Sequence, residues 1–287
     1  MRNTYVIEGG IGKCVAFTAL IDKLAEKDGE PIQVYTPYVD IIANNPNVRM
    51  GYDSTSVPLD HPDIMSGDNL FYCEPYKSNF AFGKEHLIES YCKLFGIEYA
   101  DDMRPKLYSE KAQDLAQKFL DDAEIKGPYI MVQFTGGQSP VNWNQNAHYQ
   151  SHMPLRNYPH FLAQQVVNML KEQYPNTTII DCTLPNEPPY QGTVKYQGPW
   201  LVLHELLKGS SGFIGIDSLL QHLSASAKKK GVVLWGMSRW TQFGYSENKN
   251  LSFHQRGTWD EEKFNGMDPR NINVDPKIVV DTFKKLK

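Results

Sequence analysis

The sequence predicts an α/β protein with parallel sheets, and three observations carry that prediction. Short apolar runs of strand length alternate with longer amphipathic runs of helix length, as βαβ units do. The alternation runs once through the first 126 residues and restarts after Gly127-Pro128. Glycines fill the turn between the first strand and the first helix, where a parallel sheet lets a ligand approach the backbone.

Thr4–Glu8 reads as a strand and Gly12–Lys27 as the helix after it. Ile32–Thr36 with Tyr38–Asn44, then Asn69–Cys73 with Gly83–Phe95, repeat the unit. Ser109–Ala123 carries Ala112, Leu115, Ala116, Phe119 and Leu120 at helical spacing behind a Ser cap. Tyr129–Phe134 opens the second series. Pro159 stands at the first position of a helix with Phe161, Leu162, Val166, Met169 and Leu170 on one face. Thr177–Cys182 and Gly212–Ile216 read as strands, Asp217–Lys229 as a helix and Gly231–Trp235 as a strand. A last amphipathic helix, Pro276 to Leu286, is free by its pattern to pack on either domain, the N-terminal one included. Residues 51–68 and 240–273, rich in Asp, Asn, Gly and Pro, read as long loops. Two domains are expected, 1–126 and 127–287.

Composition narrows the class. With 41% hydrophobic and 22% charged residues, the chain has the balance of an ordinary globular protein. Cysteines 14, 73, 92 and 182 have no Cys-x-x-Cys spacing, so neither a zinc ribbon nor a disulfide framework is indicated. The N-terminus enters a strand directly, and no apolar run approaches the roughly 18 residues of a membrane span. A cytoplasmic location is expected. Charge is uneven: residues 1–125 hold 12 Lys and Arg against 21 Asp and Glu, and residues 126–287 hold 17 against 12. The second, basic half is the better holder of an anionic ligand, although solvated faces produce such a split equally well.

Candidate ligand-binding residues cluster at turns. In Phe213-Ile214-Gly215-Ile216-Asp217-Ser218-Leu219-Leu220-Gln221-His222 a buried strand turns through Asp217 and Ser218 into a helix. Such a helix start directs N–H groups at whatever lies beyond the sheet edge and suits a pyrophosphate. His222 is either a ligand contact or, more commonly for a lone helical histidine, structural. Gly9-Gly10-Ile11-Gly12-Lys13 is neither a P-loop nor Gly-x-Gly-x-x-Gly, and a plain tight turn explains it equally. Arg156 precedes a helix, where a cation and free N–H groups share a phosphate. Glu187, after a strand, is placed to accept from ribose hydroxyls. The histidines show no metal spacing, and no Gly-x-Ser-x-Gly elbow is present, so no metal site and no hydrolase triad are expected.

In this order the pieces resemble glycosyltransferase family 9, the ADP-heptose:lipopolysaccharide heptosyltransferase type. Gly12-Lys13-Cys14-Val15-Ala16-Phe17-Thr18-Ala19-Leu20 is similar to its opening Gly-Asp-Val-Leu-x-Thr-x-Pro-Leu. Arg156-Asn157-Tyr158-Pro159 is similar to Lys-Arg/His-Trp-Pro, Glu187 in Leu184-Pro185-Asn186-Glu187 is similar to the Glu of Pro-x-x-Glu, and Asp217-Ser218-Leu219-Leu220-Gln221-His222 resembles Asp-Ser/Thr-Gly-x-x-His. The resemblance implies a GT-B fold, two Rossmann-like domains with parallel sheets facing across a cleft. It implies an inverting enzyme without cofactor or metal, whose substrate donor is a nucleotide-diphosphate sugar. The N-terminal domain would bind the acceptor and the C-terminal domain the donor. Gly10, Gly12, Arg156, Asp217, Ser218 and His222 would then hold the donor, with Glu187 at the ribose.

Two departures follow. Lys13 stands where the family carries the Asp taken as base, and a lysine is a poor base at neutral pH unless burial depresses its pKa. Lys13 then contacts a phosphate, or a carboxylate at another strand end deprotonates the acceptor, with Glu8 and Glu74 as candidates and Asp40 behind them. The segment 138–153 is long and rich in amides, with Trp143 and Tyr149 suited to reading an acceptor. The glycine loop and Tyr72–Phe80 resemble family-9-like proteins of large tailed bacteriophages. That resemblance implies DNA carrying a hydroxymethylated base, 5-hydroxymethylcytosine, as the acceptor partner. The alternatives are a lipopolysaccharide core or surface-glycan acceptor, or a non-catalytic sugar-nucleotide-binding protein.

Overall fold

The computed structural model describes residues 3–67, 69–76, 79–136, 157–182, 187–236, 238–252, 272 and 274–286. They form two compact units, the first running to Lys111 and the second starting at Ala112.

In the first unit β1 (Asn3–Val6), β2 (Ile32–Thr36), β3 (Val48–Asp53) and β4 (Asn69–Tyr72) form a wholly parallel sheet ordered β3-β2-β1-β4. Tyr5 faces Val34 on one side and Phe71 on the other. The helices are α1 (Ile11–Phe17), α2 (Ile21–Asp28), α3 (Val39–Ile42), α4 (Pro62–Met65) and α5 (Leu87–Phe95). The single helix expected over 12–27 is thus two. The Thr18 hydroxyl donates back to the Val15 carbonyl at 2.6 Å, and the backbone turns through Leu20 before α2 begins. An aromatic cluster joins the sheet to α1 and α5. Tyr5 stacks on Phe71 at 5.3 Å and meets Phe95 edge-on at 5.3 Å, and Phe17 meets Tyr91 at 5.6 Å. His86 caps α5, accepting from the Ile88 N–H while Glu89 accepts from the His86 N–H.

The second unit has a parallel sheet of β5 (Tyr129–Gln133), β6 (Thr178–Asp181), β7 (Val194–Lys195), β8 (Phe213–Ile216), β9 (Gly231–Trp235) and β10 (Lys249–Ser252), ordered β10-β9-β8-β5-β6-β7. Its helices are α6 (Gln113–Asp122), α7 (His160–Gln173), α8 (Trp200–Gly209), α9 (Leu219–Ser226), α10 (Trp240–Phe243) and α11 (Pro276–Lys284). The central strands β5, β8 and β9 are buried along their whole length, as a sheet covered on both faces requires. Val166, Val167 and Leu170 of α7 share a core with Val279, Val280 and Phe283 of α11 and with Ile130, Ile214 and Val232 of the sheet. The last helix, left open by its sequence, therefore packs in this unit. So does α6, whose Phe119 ring meets Tyr196 edge-on at 5.1 Å, and the contacts divide the chain earlier than the Gly127-Pro128 stop suggests.

Several sequence expectations need correction. The stretches read as loops at 51–68 and 240–273 contain the end of β3, all of α4, α10 and β10. Strand β7 and helix α8 were not expected at all. The three missed strands β3, β7 and β10 are sheet edges, partly exposed and polar, so they lack the apolar run of a covered strand. Helix α8, Trp-Leu-Val-Leu-His-Glu-Leu-Leu, is buried on nearly every side and so shows little helical periodicity. Ser109 is not the cap of α6: a 3₁₀ turn, Glu110–Ala112, intervenes. Pro159 is the N-cap of α7 rather than its first residue.

Candidate functional site

Strand order selects one crevice in each unit. In a doubly wound parallel sheet, ligands bind beyond the carboxyl ends of the strands at the point where the chain reverses its direction of travel. In the first unit that point lies between β1 and β4, and in the second between β5 and β8.

At the first crevice, Gly9 at φ +94° and Gly10 lead β1 into α1, whose first turn carries Lys13. Lys13 is buried to 8% exposure, and its Nζ lies 3.1 Å from Glu74 Oε2, just past the end of β4. The other carboxylate oxygen accepts the Tyr76 backbone N–H at 3.0 Å, and the Tyr76 ring stands 4.5 Å from the ammonium. A Cβ on Gly9 would come within 3.2 Å of the Lys13 Cδ, so a glycine there leaves room for the lysine stem. Tyr91 donates to the Lys13 carbonyl from below at 3.5 Å. Glu74 itself is 45% exposed. Two of the sequence candidates thus meet across a separation of 61 residues. Glu8 is exposed at the end of β1. It is among the charges that, after burial, raise the Tyr35 hydroxyl, together with Asp53 and Asp60. Burial pushes the neighbouring Cys14 thiol up to about 12, which leaves it inert at neutral pH.

At the second crevice, Ser218 is the N-cap of α9 in extended conformation and makes no side-chain capping bond. Gln133, the last residue of β5, takes that part: its Oε1 accepts the Leu220 N–H at 2.9 Å. One of the helix N–H groups expected to face a ligand is therefore satisfied within the unit. Gly136 lies against Ser218, where a Cβ would stand 2.2 Å from the Ser218 Oγ, and its N–H donates to Asn157 Oδ1 at 3.0 Å. Asp217 is buried beside this turn.

His222 is buried and both ring nitrogens are engaged. The Gln221 amide lies 3.0 Å from Nε2 and also donates to the Phe243 carbonyl, and Nδ1 lies 3.0 Å from the Tyr245 hydroxyl. Because an amide nitrogen only donates, Nε2 accepts and Nδ1 carries the proton, a neutral imidazole. His222 thus anchors α9 from inside. Glu187 is half-buried, and its carbonyl accepts from the Lys195 ammonium. Gly12 lies within α1. Arg156, Trp143 and Tyr149 lie outside the described residues. Sequence reading missed Gln133, Gly136 and Tyr76. The signals were a polar residue ending an apolar strand, a Gly-Gly pair after it, and an aromatic two residues past Glu74.

Among the described residues, no three His, Cys, Asp or Glu side chains are grouped to hold a metal. No helix there is long and apolar enough to cross a membrane. No protein-family model matches the chain, and neither does any curated protein sequence.

Solved structures do match. A glycosyltransferase family 9 protein of Veillonella parvula superposes with a TM-score of 0.72 at 12% identity, covering 99% of this chain and 96% of that one. The chain has the fold of the family 9 glycosyltransferases. The ADP-heptose lipopolysaccharide heptosyltransferase II of Escherichia coli matches at 0.65 and 11%, over 100% and 98% of the two chains. The E. coli heptosyltransferase WaaC, solved with ADP, matches at 0.60 and 10% over the whole of both. The family 9 fold agrees with the two parallel sheets. At these identities the likeness speaks for architecture. It gives no support to the bacteriophage resemblance.

Proposed function

We propose that the protein is a family-9-type glycosyltransferase that moves a sugar from a nucleotide-diphosphate sugar to a hydroxyl of a glycan acceptor, with inversion and without a metal. The observation that carries this reading is the family 9 fold, with Lys13 and Glu74 at the switch point of the first sheet and Asp217 and Ser218 at that of the second. The neighbours include lipopolysaccharide heptosyltransferases and an ADP complex, which favours the surface-glycan alternative over hydroxymethylcytosine in DNA. In this reading the second unit holds the donor. Asp217, Ser218 and the first turn of α9 face the diphosphate, with Arg156 as the cation, Glu187 at the ribose, and His222 holding the helix in place. Helix N–H groups and a basic side chain stabilise the departing diphosphate. The first unit, with the Gly10 turn and the carboxylates Glu8 and Glu74, activates the acceptor hydroxyl. Trp143 and Tyr149 remain proposed acceptor contacts.

The test is to incubate the protein, with a chelator present, with ADP-heptose and other nucleotide sugars. Lipopolysaccharide core fragments and hydroxymethylcytosine-containing duplex DNA are offered separately, and products are weighed by mass spectrometry. A sugar-sized gain on the glycan supports the reading. A gain on the DNA alone reinstates the other acceptor, and tight donor binding with no product anywhere identifies a binding protein.

A further inference from the structure

We propose that Glu74 is the general base of the transfer and that Lys13 is its positioning residue rather than a phosphate ligand. This rests on the transfer reading above.

The way its carboxylate is held separates Glu74 from Glu8. The Glu74 carboxylate is held at both oxygens, by the Lys13 ammonium at 3.1 Å and by the Tyr76 N–H at 3.0 Å. A carboxylate offers about four lone-pair sites, so with two in use the half-exposed group still presents proton-accepting positions. Both carboxylates follow strands that flank the point where the strand order reverses, Glu8 after β1 and Glu74 after β4, but Glu8 is exposed and contributes its charge at Tyr35. A base must be fixed in direction to within hydrogen-bond reach of its proton, and among the described residues only Glu74 of these two carboxylates is so fixed.

Lys13 is placed to do the fixing. Its ammonium is buried between Glu74 and the Tyr76 ring, and its stem crosses Gly9, where any Cβ would crowd it. Withdrawing it toward a phosphate would forfeit both the ion pair with the half-exposed Glu74 and the contact with the Tyr76 ring. In the step itself the acceptor O–H proton passes to Glu74 as that oxygen bonds to the anomeric carbon. The bond from that carbon to the diphosphate oxygen breaks, its electron pair leaves with the nucleoside diphosphate, and Glu74 later returns the proton to water.

The experiment compares steady-state nucleotide release by the full chain and by Glu74→Gln, Glu8→Gln, Lys13→Met and Lys13→Arg, with the exposed Glu26→Gln as control. Glu74→Gln is expected to lower kcat by about 100-fold or more with little change in donor KM. Lys13→Met should lower kcat at constant donor KM, and Lys13→Arg should restore most of it. The proposal is overturned if the loss appears in Glu8→Gln instead, if Glu74→Gln keeps its kcat, or if Lys13→Met acts on donor KM. A wild-type chain inactive with every donor overturns the transfer reading and the base role with it. The pairing is then judged separately, by acylating surface amines and locating the label. Faster labelling of Lys13 in Glu74→Gln than in wild type upholds the pair, and equal labelling removes it.

Discussion

The Gln133 side chain, at the end of β5, accepts a hydrogen bond from the Leu220 N–H of α9 at 2.9 Å, so a strand caps a helix 87 residues away in sequence. The usual device, a Ser218 hydroxyl folded back on its own helix, is not used, which leaves that hydroxyl against Gly136 at the crevice. Replacing Gln133 with Met keeps the volume and removes the acceptor. The buried N–H then loses its partner, and the expected cost is about 1–3 kcal/mol. Urea denaturation measures it. An unchanged midpoint would mean that the cap does not hold the helix.

A second prediction concerns Gly231, which pairs with Phe213 across β8 and β9. A Cβ there would stand 2.2 Å from the Phe213 ring and 2.6 Å from its carbonyl oxygen. Gly231→Ala must therefore push two central strands apart, at a cost of about 1–3 kcal/mol. The folded yield and the denaturation midpoint should both fall. Wild-type values for both would contradict the pairing.

The third is a pH dependence carried by His204 of α8. Burial, helped by Lys208, lowers its pKa to about 4. A histidine with a depressed folded value stays neutral in the fold while the unfolded chain takes up a proton below about 6.5. The unfolded state thus binds more protons between about pH 6.5 and about pH 4, and stability falls across that window as pH falls. Replacing His204 with Leu removes this contribution. The difference in stability between about pH 7 and about pH 5 should be smaller in the variant, and an equal difference would place the proton uptake elsewhere.

How much of this was legible in the sequence follows from what each residue had to reveal. The covered strands β5, β8 and β9 are apolar at nearly every position because both faces are buried, and their runs stand out, while β1 and β2 bury Asn3, Thr4, Gln33 and Thr36 among apolar neighbours. The edge strands β3, β7 and β10 face solvent in part, and their mixed composition hid them, the end of β3 and all of β10 inside stretches read as loops. The turn at Asp217 and Ser218 was readable because a helix start has a local chemistry. His222 had two readings, and only its contacts with Gln221 and Tyr245 showed it anchoring the helix.

By itself the sequence determined the class of fold, the two-unit plan and the residues at the turns, because periodicity and capping act within a few residues of chain. Only the tertiary structure decided the strand order, and with it which turns meet. Placing β4 beside β1 brings Glu74 to Lys13, and placing β8 beside β5 brings Leu220 to Gln133. Nothing local in the chain encodes those meetings, since they are contacts between segments far apart in sequence, fixed by how the sheet is wound and covered.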